Sequence, residues 1–301
     1  GHTGFKGAWL TLMLTQQGHQ VSGLSLDPEP GSLYEVGAVG ELIEHDLRGD
    51  IRSADTVRAG LETSSPDAVF HLAAQPLVRE SYSDPRTTME TNVMGTFNVI
   101  EAISAVPSIQ ASVIITTDKV YRNVNQIQGY IESDPLGGHD PYSASKAMAD
   151  ILTQSWMLSF PGSPMAIARA GNVIGGGDVC QDRLMPDLMR GFSEGSDVSL
   201  RYPEAVRPWQ HVLDCLTGYQ LLMQELVAHN PTILQQPTWN FGPGPANFKT
   251  VGEVADLATK LWGSPASWSV PTQTHPHEAE LLALDATAAR QKLGWADRLD
   301  F

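Results

Sequence analysis

The chain has little cysteine, no long apolar run, no basic excess and no internal repeat, and each absence removes a class of function. Only Cys180 and Cys215 occur in 301 residues. Their spacing suits neither a zinc site nor a disulfide framework, and each reads as a buried thiol in a reducing cytoplasm. No apolar stretch approaches the roughly 20 residues that cross a bilayer, so no membrane role is expected. Nineteen basic against 34 acidic residues give a formal charge of −15, a field that repels phosphate backbones and anionic lipid. Nucleic acid is therefore a poor partner, whereas a small anion held by a few cleft arginines remains open. His275 and His277, with Glu278 after them, lack a third ligand at a defined spacing, and no metal is expected. What remains, at 42% hydrophobic and 18% charged residues, is the composition of a soluble globular enzyme. One further absence concerns the start: residue 1 is Gly, the first Met is Met13, and no strand precedes the opening glycines. The expectation is an internal piece of a longer chain.

The run Gly1-His-Thr-Gly4-Phe5-Lys-Gly7 precedes the apolar segment 8–14, with Gly18 as a stop. A glycine loop that opens a helix can cradle a phosphate, because the backbone comes close and the helix N-terminus offers N–H groups and a favourable dipole. Residues 20–27 then read as a strand ending in Asp27. An acid there accepts hydrogen bonds from an adenosine ribose and repels a 2′-phosphate, which favours NAD over NADP; the other reading is a turn residue ahead of Pro28. A short strand is expected at 41–45, a helix at 53–63 and a buried strand at 67–74. Asp50, Ala73 and Ala74 fall at strand ends, where adenine and phosphate contacts belong, or serve as turn and packing residues. Residues 92–105 have helical periodicity, and the strand 110–119 carries Thr117, Asp118 and Lys119 at its tip.

Asp140-Pro-Tyr142-Ser-Ala-Ser-Lys146-Ala follows. Pro141 suits a first helical turn, and Tyr142 and Lys146 then lie one turn apart on one face. An ammonium beside a phenol can lower its pKa and make a base of it; taken alone, the pair reads as readily as two surface residues. A strand at 165–170 and the glycine-rich loop 171–177 complete a doubly wound parallel sheet over residues 1–177. Residues 178–301 are expected to form a smaller, mainly substrate-binding domain, with helices near 185–192, up to 228 and at 251–261.

Taken together, the glycine loop, Asp50, His71-Leu-Ala-Ala-Gln75, Thr117, Tyr142 and Lys146 resemble the extended short-chain dehydrogenase/reductases that act on nucleotide sugars. Within that family Ala-Ala-Gln-Pro-Leu-Val-Arg79, Thr-Thr-Asp-Lys-Val-Tyr121, Ala-Gly-Asn-Val-Ile-Gly-Gly-Gly-Asp178 and Arg-Pro-Trp-Gln-His-Val212 are similar to the CDP-glucose 4,6-dehydratase branch. Lys119 is the most specific mark, since the dTDP-glucose branch has Glu there. The resemblance implies a Rossmann-type α/β fold, tightly held NAD, CDP-glucose as substrate and a homo-oligomer. It further implies cofactor contacts from Gly1, Gly4, Phe5, Gly7, Asp27, Asp50, Ile51, Ala73, Ala74, Tyr142 and Lys146. Thr117 and Tyr142 would serve oxidation at C4, with Lys146 lowering the Tyr142 pKa; Asp118 would be the acid and Lys119 the base for elimination across C5 and C6. Arg79, Asn172 and Arg207 would line the sugar and diphosphate. Against the family's pattern a first strand before Gly1 and a helical stretch after Phe301 are missing, so this piece alone is expected to bind NAD poorly. A nucleotide-sugar 4-epimerase shares Thr117, Tyr142 and Lys146 but needs no Asp118 and Lys119 pair, and a non-catalytic dinucleotide sensor would keep only the fold.

Overall fold

Apolar segments alternate with amphipathic ones along the chain, and strands and helices alternate accordingly. In the computed structural model, which describes residues 1–126, 128–271 and 281–299, helix α1 (Phe5–Gln16) is followed by β1 (Ser22–Ser25) and β2 (His45–Arg48). Then come α2 (Ala54–Ser64), β3 (Ala68–His71), α3 (Thr96–Ser104), β4 (Ala111–Thr117), α4 (Pro141–Ser159) and β5 (Met165–Ala170). Pairing of β1 with β2, of β3 with β4 and of β4 with β5 is parallel, as expected of a Rossmann-like sheet joined through helices. All seven residues of β4 are buried, which marks it as an inner strand covered on both faces.

The second part of the chain contributes α5 (Leu184–Glu194), α6 (Val212–Val227), β6 (Thr238–Phe241) and α7 (Val251–Trp262). Strand β6 pairs in parallel with β5, Thr238 opposite Ile167 and Phe241 opposite Ala170, giving the order β6-β5-β4-β3. The doubly wound layer therefore does not stop at residue 177. Trp239 and Phe241 are fully buried and share one core with Tyr219 and Leu222 of α6 and with Val113 and Ala168 of the sheet, so apolar burial draws residues 212–241 back onto it. Outside that layer, α5 and α7 pack through Leu188, Phe192, Ala255 and Ala258. A Thr250–Glu253 capping box fixes the start of α7.

One strand boundary and the sheet pairing differ from expectation. The strand expected at 41–45 begins only at His45, because Val39 packs against Ala8 and Tyr34 and coils residues 39–42 into a single 3₁₀ turn. β1 and β2 form a sheet separate from the other four strands. Gly1 lies between the carboxyl ends of the two sheets, its amino group donating to the Leu24 carbonyl and its Cα packed on the Ala73 backbone.

Candidate active site

The glycine loop closes on itself for steric reasons. A Cβ on Gly7 would sit 2.0 Å from the Gly1 carbonyl oxygen, and one on Gly1 would sit 2.6 Å from the Ala73 nitrogen. A Cβ on Gly4, by contrast, would meet only the Gly1 carbonyl oxygen, at 3.6 Å, so its face is open. Gly4 caps α1 without any side-chain acceptor, and the first-turn amides border that open face. Two glycines thus tighten the loop and the third leaves room. This arrangement fits a dinucleotide diphosphate, with the Ala73 backbone packed against Gly1 beside it.

Asp27 lies just beyond β1 with its side chain 92% exposed. Sequence reasoning missed its neighbour: Arg48, at the end of β2, comes within 3.5 Å of the Asp27 carboxylate. The parallel pairing of Ser25 with Arg48 makes this contact across more than 20 residues of chain. Arg48 is also held by Asp46 and by the Tyr34 hydroxyl. Burial alone would raise the Asp46 pKa, but hydrogen bonds from Arg48, Tyr34 and His2 hold it at about 2. Asp50 accepts from the Arg52 backbone and guanidinium, the latter bond chiefly lowering its pKa. Ile51 is buried under Gly95, and its carbonyl accepts from the Asn98 amide.

The catalytic candidates meet at the ends of β4 and β5. Because Thr117 pairs with Ala170, the segments 117–119 and 171–172 leave the sheet side by side. Thr117 donates to one oxygen of Asp118 at 2.9 Å, and the Asn172 amide donates to the other at 3.2 Å. Asp118 is 1% exposed and packs on Gly171, where a Cβ would lie 2.0 Å from its carboxyl carbon. Lys119 begins to leave the strand in a 3₁₀ turn, its backbone N–H donating to the Thr117 hydroxyl. Helix α4 brings the other two residues. Asp140 accepts from the Ser143 N–H at 2.9 Å and Pro141 occupies the first turn, so the helix starts where the local sequence dictates.

The expected lowering of the Tyr142 pKa is not found. Desolvation pushes the phenol up to about 12, a hydrogen bond with the Thr117 hydroxyl offsets part of this, and the nearby Asp118 adds to the rise. The buried Lys146 ammonium instead donates to the Ile115 carbonyl at 2.9 Å, and no hydrogen bond joins it to the phenol. Burial, reinforced by the positive charge of Lys6, lowers the Lys146 pKa to about 8. Asn92, fully buried in the helical turn before α3, ties both walls together: it bonds the Gln75 backbone on one side and the Ser145 hydroxyl on the other.

Arg79, Arg183 and Arg207 have separate settings. Arg79 reaches Asp182, beyond the glycine-rich loop, at 2.7 Å. Arg183, which sequence reasoning missed, donates to Asp178 at 2.9 Å and lies close enough to Tyr142 to favour its ionised form. Arg207 is buried on an antiparallel ribbon, Val206–Pro208 against Phe248–Thr250, and donates to the Val206 carbonyl. The His275–Glu278 segment lies outside the described residues; among the described residues no three His, Cys, Asp or Glu side chains are placed to hold a metal.

The sequence pattern of the GDP-mannose 4,6 dehydratase family matches residues 1–301. The chain belongs to that family. It is 45% identical to the CDP-glucose 4,6-dehydratase of Salmonella typhimurium, over 99% of this chain and 85% of that protein. It is 29% identical to the dTDP-glucose 4,6-dehydratase of Streptomyces griseus, over 84% of this chain and 73% of that protein. Among solved structures, dTDP-glucose 4,6-dehydratase from Bacillus anthracis, in complex with NAD, superposes with a TM-score of 0.84 at 22% identity, covering 100% of this chain and 91% of that one. UDP-glucuronic acid 4-epimerase from Bacillus cereus, in complex with UDP-glucuronic acid and NAD, gives 0.85 at 20% identity, covering 99% and 92%. These superpositions speak to the fold that the dehydratase family shares with epimerases.

Proposed function

We propose that this chain is a hydro-lyase that uses NAD to dehydrate CDP-glucose to its 4-keto-6-deoxy sugar. The observation that carries the proposal is the meeting of Thr117, Asp118 and Tyr142 at one strand end, with Lys119 adjoining, in a chain so similar to a CDP-glucose 4,6-dehydratase. The glycine loop, the α1 N-terminus, Asp27, Asp50 and Lys146 hold the cofactor. NAD, once bound there, accepts a hydride from the sugar and later gives it back.

Thr117 fixes the sugar 4-hydroxyl and Tyr142, once ionised to the phenolate, takes its proton as C4 is oxidised. The resulting ketone acidifies the C5 proton. Lys119 removes that proton while Asp118 protonates the departing C6 hydroxyl, which leaves as water. The hydride returns to C6 and a proton to C5, so the net change is loss of one water. The bonds from Thr117 and Asn172 hold the Asp118 carboxyl in one orientation for this transfer. Arg207 and Arg79 grip the diphosphate and sugar end, a task suited to the paired donors of a guanidinium. The choice of cytidine rests on likeness to the Salmonella protein, since no described side chain reads as a cytosine reader.

Incubation of the protein with NAD and CDP-glucose tests the proposal. The expected product shows the ultraviolet absorbance of a 4-keto-6-deoxy sugar in alkali. A product that is merely the C4 epimer, or faster turnover of dTDP-glucose, would overturn the reaction or the substrate respectively.

A further inference from the structure

Gln210 follows the run Arg207-Pro-Trp and is 2% exposed. Its side-chain amide donates twice, to the Gly171 carbonyl at 3.2 Å and to the Phe241 carbonyl at 2.9 Å. Its backbone N–H donates to the Asn172 carbonyl at 3.2 Å, because residues 173–174 run parallel to 210–211 with Val173 opposite Gln210. One residue thus holds both members of the Gly171-Asn172 step and ties them to the last residue of β6.

That step supports the Asp118 carboxyl. Gly171 lies so close that a Cβ there would come within 2.0 Å of the carboxyl carbon, and the Asn172 amide bonds one of the carboxyl oxygens at 3.2 Å. Asn172 does so from a left-handed backbone, φ 50°, a conformation that needs support in a residue with a Cβ. The other end of the Gln210 amide argues for a task beyond packing. Its Oε1 is buried with no hydrogen-bond partner among the described residues. A buried acceptor left unpaired costs stability, so an amide is a poor choice at this place unless its two donor bonds are needed.

We propose that Gln210 is a positioning residue for Asp118: by pinning Gly171 and Asn172 to β6, it keeps the carboxyl in the orientation from which it gives its proton to the departing C6 hydroxyl. The inference rests on the reading of Asp118 as the acid of the elimination. Gln210 lies three residues after Arg207, so one short segment serves both the diphosphate and the acid. The hydrogen bonds of Gln210 go to Gly171, Asn172 and Phe241, and neither Thr117 nor Tyr142 is among them, so oxidation at C4 is spared when they are lost.

The test is Gln210→Met, which keeps the bulk and removes the side-chain donors. In ¹⁵N-labelled protein without substrate, the Asn172 side-chain amide signal is assigned by its loss in Asn172→Gly. In Gln210→Met that signal should move toward the position it takes in Asp118→Ala, where its acceptor is gone. Given NAD and CDP-glucose, the variant should form dihydronicotinamide at about the parent rate and then eliminate water at least about tenfold more slowly, since small displacements of a reacting group are costly. If Gln210→Met does not fold, Gln210→Glu, of the same shape but without a donor when ionised, takes its place and should show the same two effects. An unmoved Asn172 signal overturns the inference whether or not CDP-glucose is the substrate, and so does an equal loss of oxidation and elimination. Were neither variant to fold, Gln210 would serve the fold alone and the inference would fall. A moved signal, where the parent itself leaves CDP-glucose unchanged, would support the positioning role and remove the proposed reaction.

Discussion

Asn172 donates its side-chain amide to the Asp118 carboxylate from a backbone held at φ 50°. The residue thus meets two demands at once. Asparagine enters the left-handed region more readily than other side chains with a Cβ, and its amide reaches the carboxyl that the proposed mechanism uses as an acid.

Substitution separates the two demands. Asn172→Gly should keep stability and lose the hydrogen bond, while Asn172→Ala should lose the bond and also cost roughly 1–2 kcal/mol in backbone strain. Both variants should fall about tenfold or more in turnover, and urea midpoints should distinguish them. Equal stability of the two would contradict the strain argument.

Arg169 and Asp150 form a fully buried pair joining β5 to α4, with Thr116, Gln154 and Tyr121 completing their hydrogen bonds. Arg169→Met leaves the Asp150 carboxylate buried without its cation, and should destabilise the fold by about 3–5 kcal/mol. The double change Arg169→Met with Asp150→Leu should recover part of that loss. A single variant within about 1 kcal/mol of the parent in chemical denaturation would show that the pair adds little.

Much of the site was legible because its signals are local. Asp140 and Pro141 mark the start of α4, and the 3.6-residue period then puts Tyr142 and Lys146 on neighbouring turns. The unbroken apolar run before Thr117 marks a buried strand whose polar tip lies at its carboxyl end. What could not be read depends on pairing across distance. Nothing near Trp239 says that its strand will pair with Met165–Ala170 rather than stay in the second part of the chain. Arg48 meets Asp27 only through the register of β1 on β2, and Lys6 meets Tyr219 across 213 positions. The direction of Lys146 toward Ile115, and the burial that raises the Tyr142 pKa, follow from the same kind of contact.

Arg48 beside Asp27 bears on cofactor choice. An acid at that place repels a 2′-phosphate, and an arginine nearby can accept one. Asp27→Ala should therefore bind NADP more tightly than the parent does, and adding Arg48→Met should reverse most of that gain. Calorimetry with both cofactors measures this. Preference of the parent for NADP would contradict the role given to Asp27.

Lys119 should matter for elimination and not for oxidation. Lys119→Met, given CDP-glucose, should still form dihydronicotinamide, seen by its absorbance, and then stall. In heavy water it should exchange the C5 proton at least a hundredfold more slowly than the parent, in line with loss of a general base. Dehydration at the parent rate with full deuteration at C5 would assign the base to another group.

The central claim is that hydride leaves C4 and returns to C6 of the same sugar. Its most direct test is turnover of CDP-glucose deuterated at C4, followed by nuclear magnetic resonance of the product. The account predicts a 4-keto-6-deoxy sugar with the deuterium in its C6 methyl group; deuterium returned to C4, or recovered nowhere in the sugar, would contradict it.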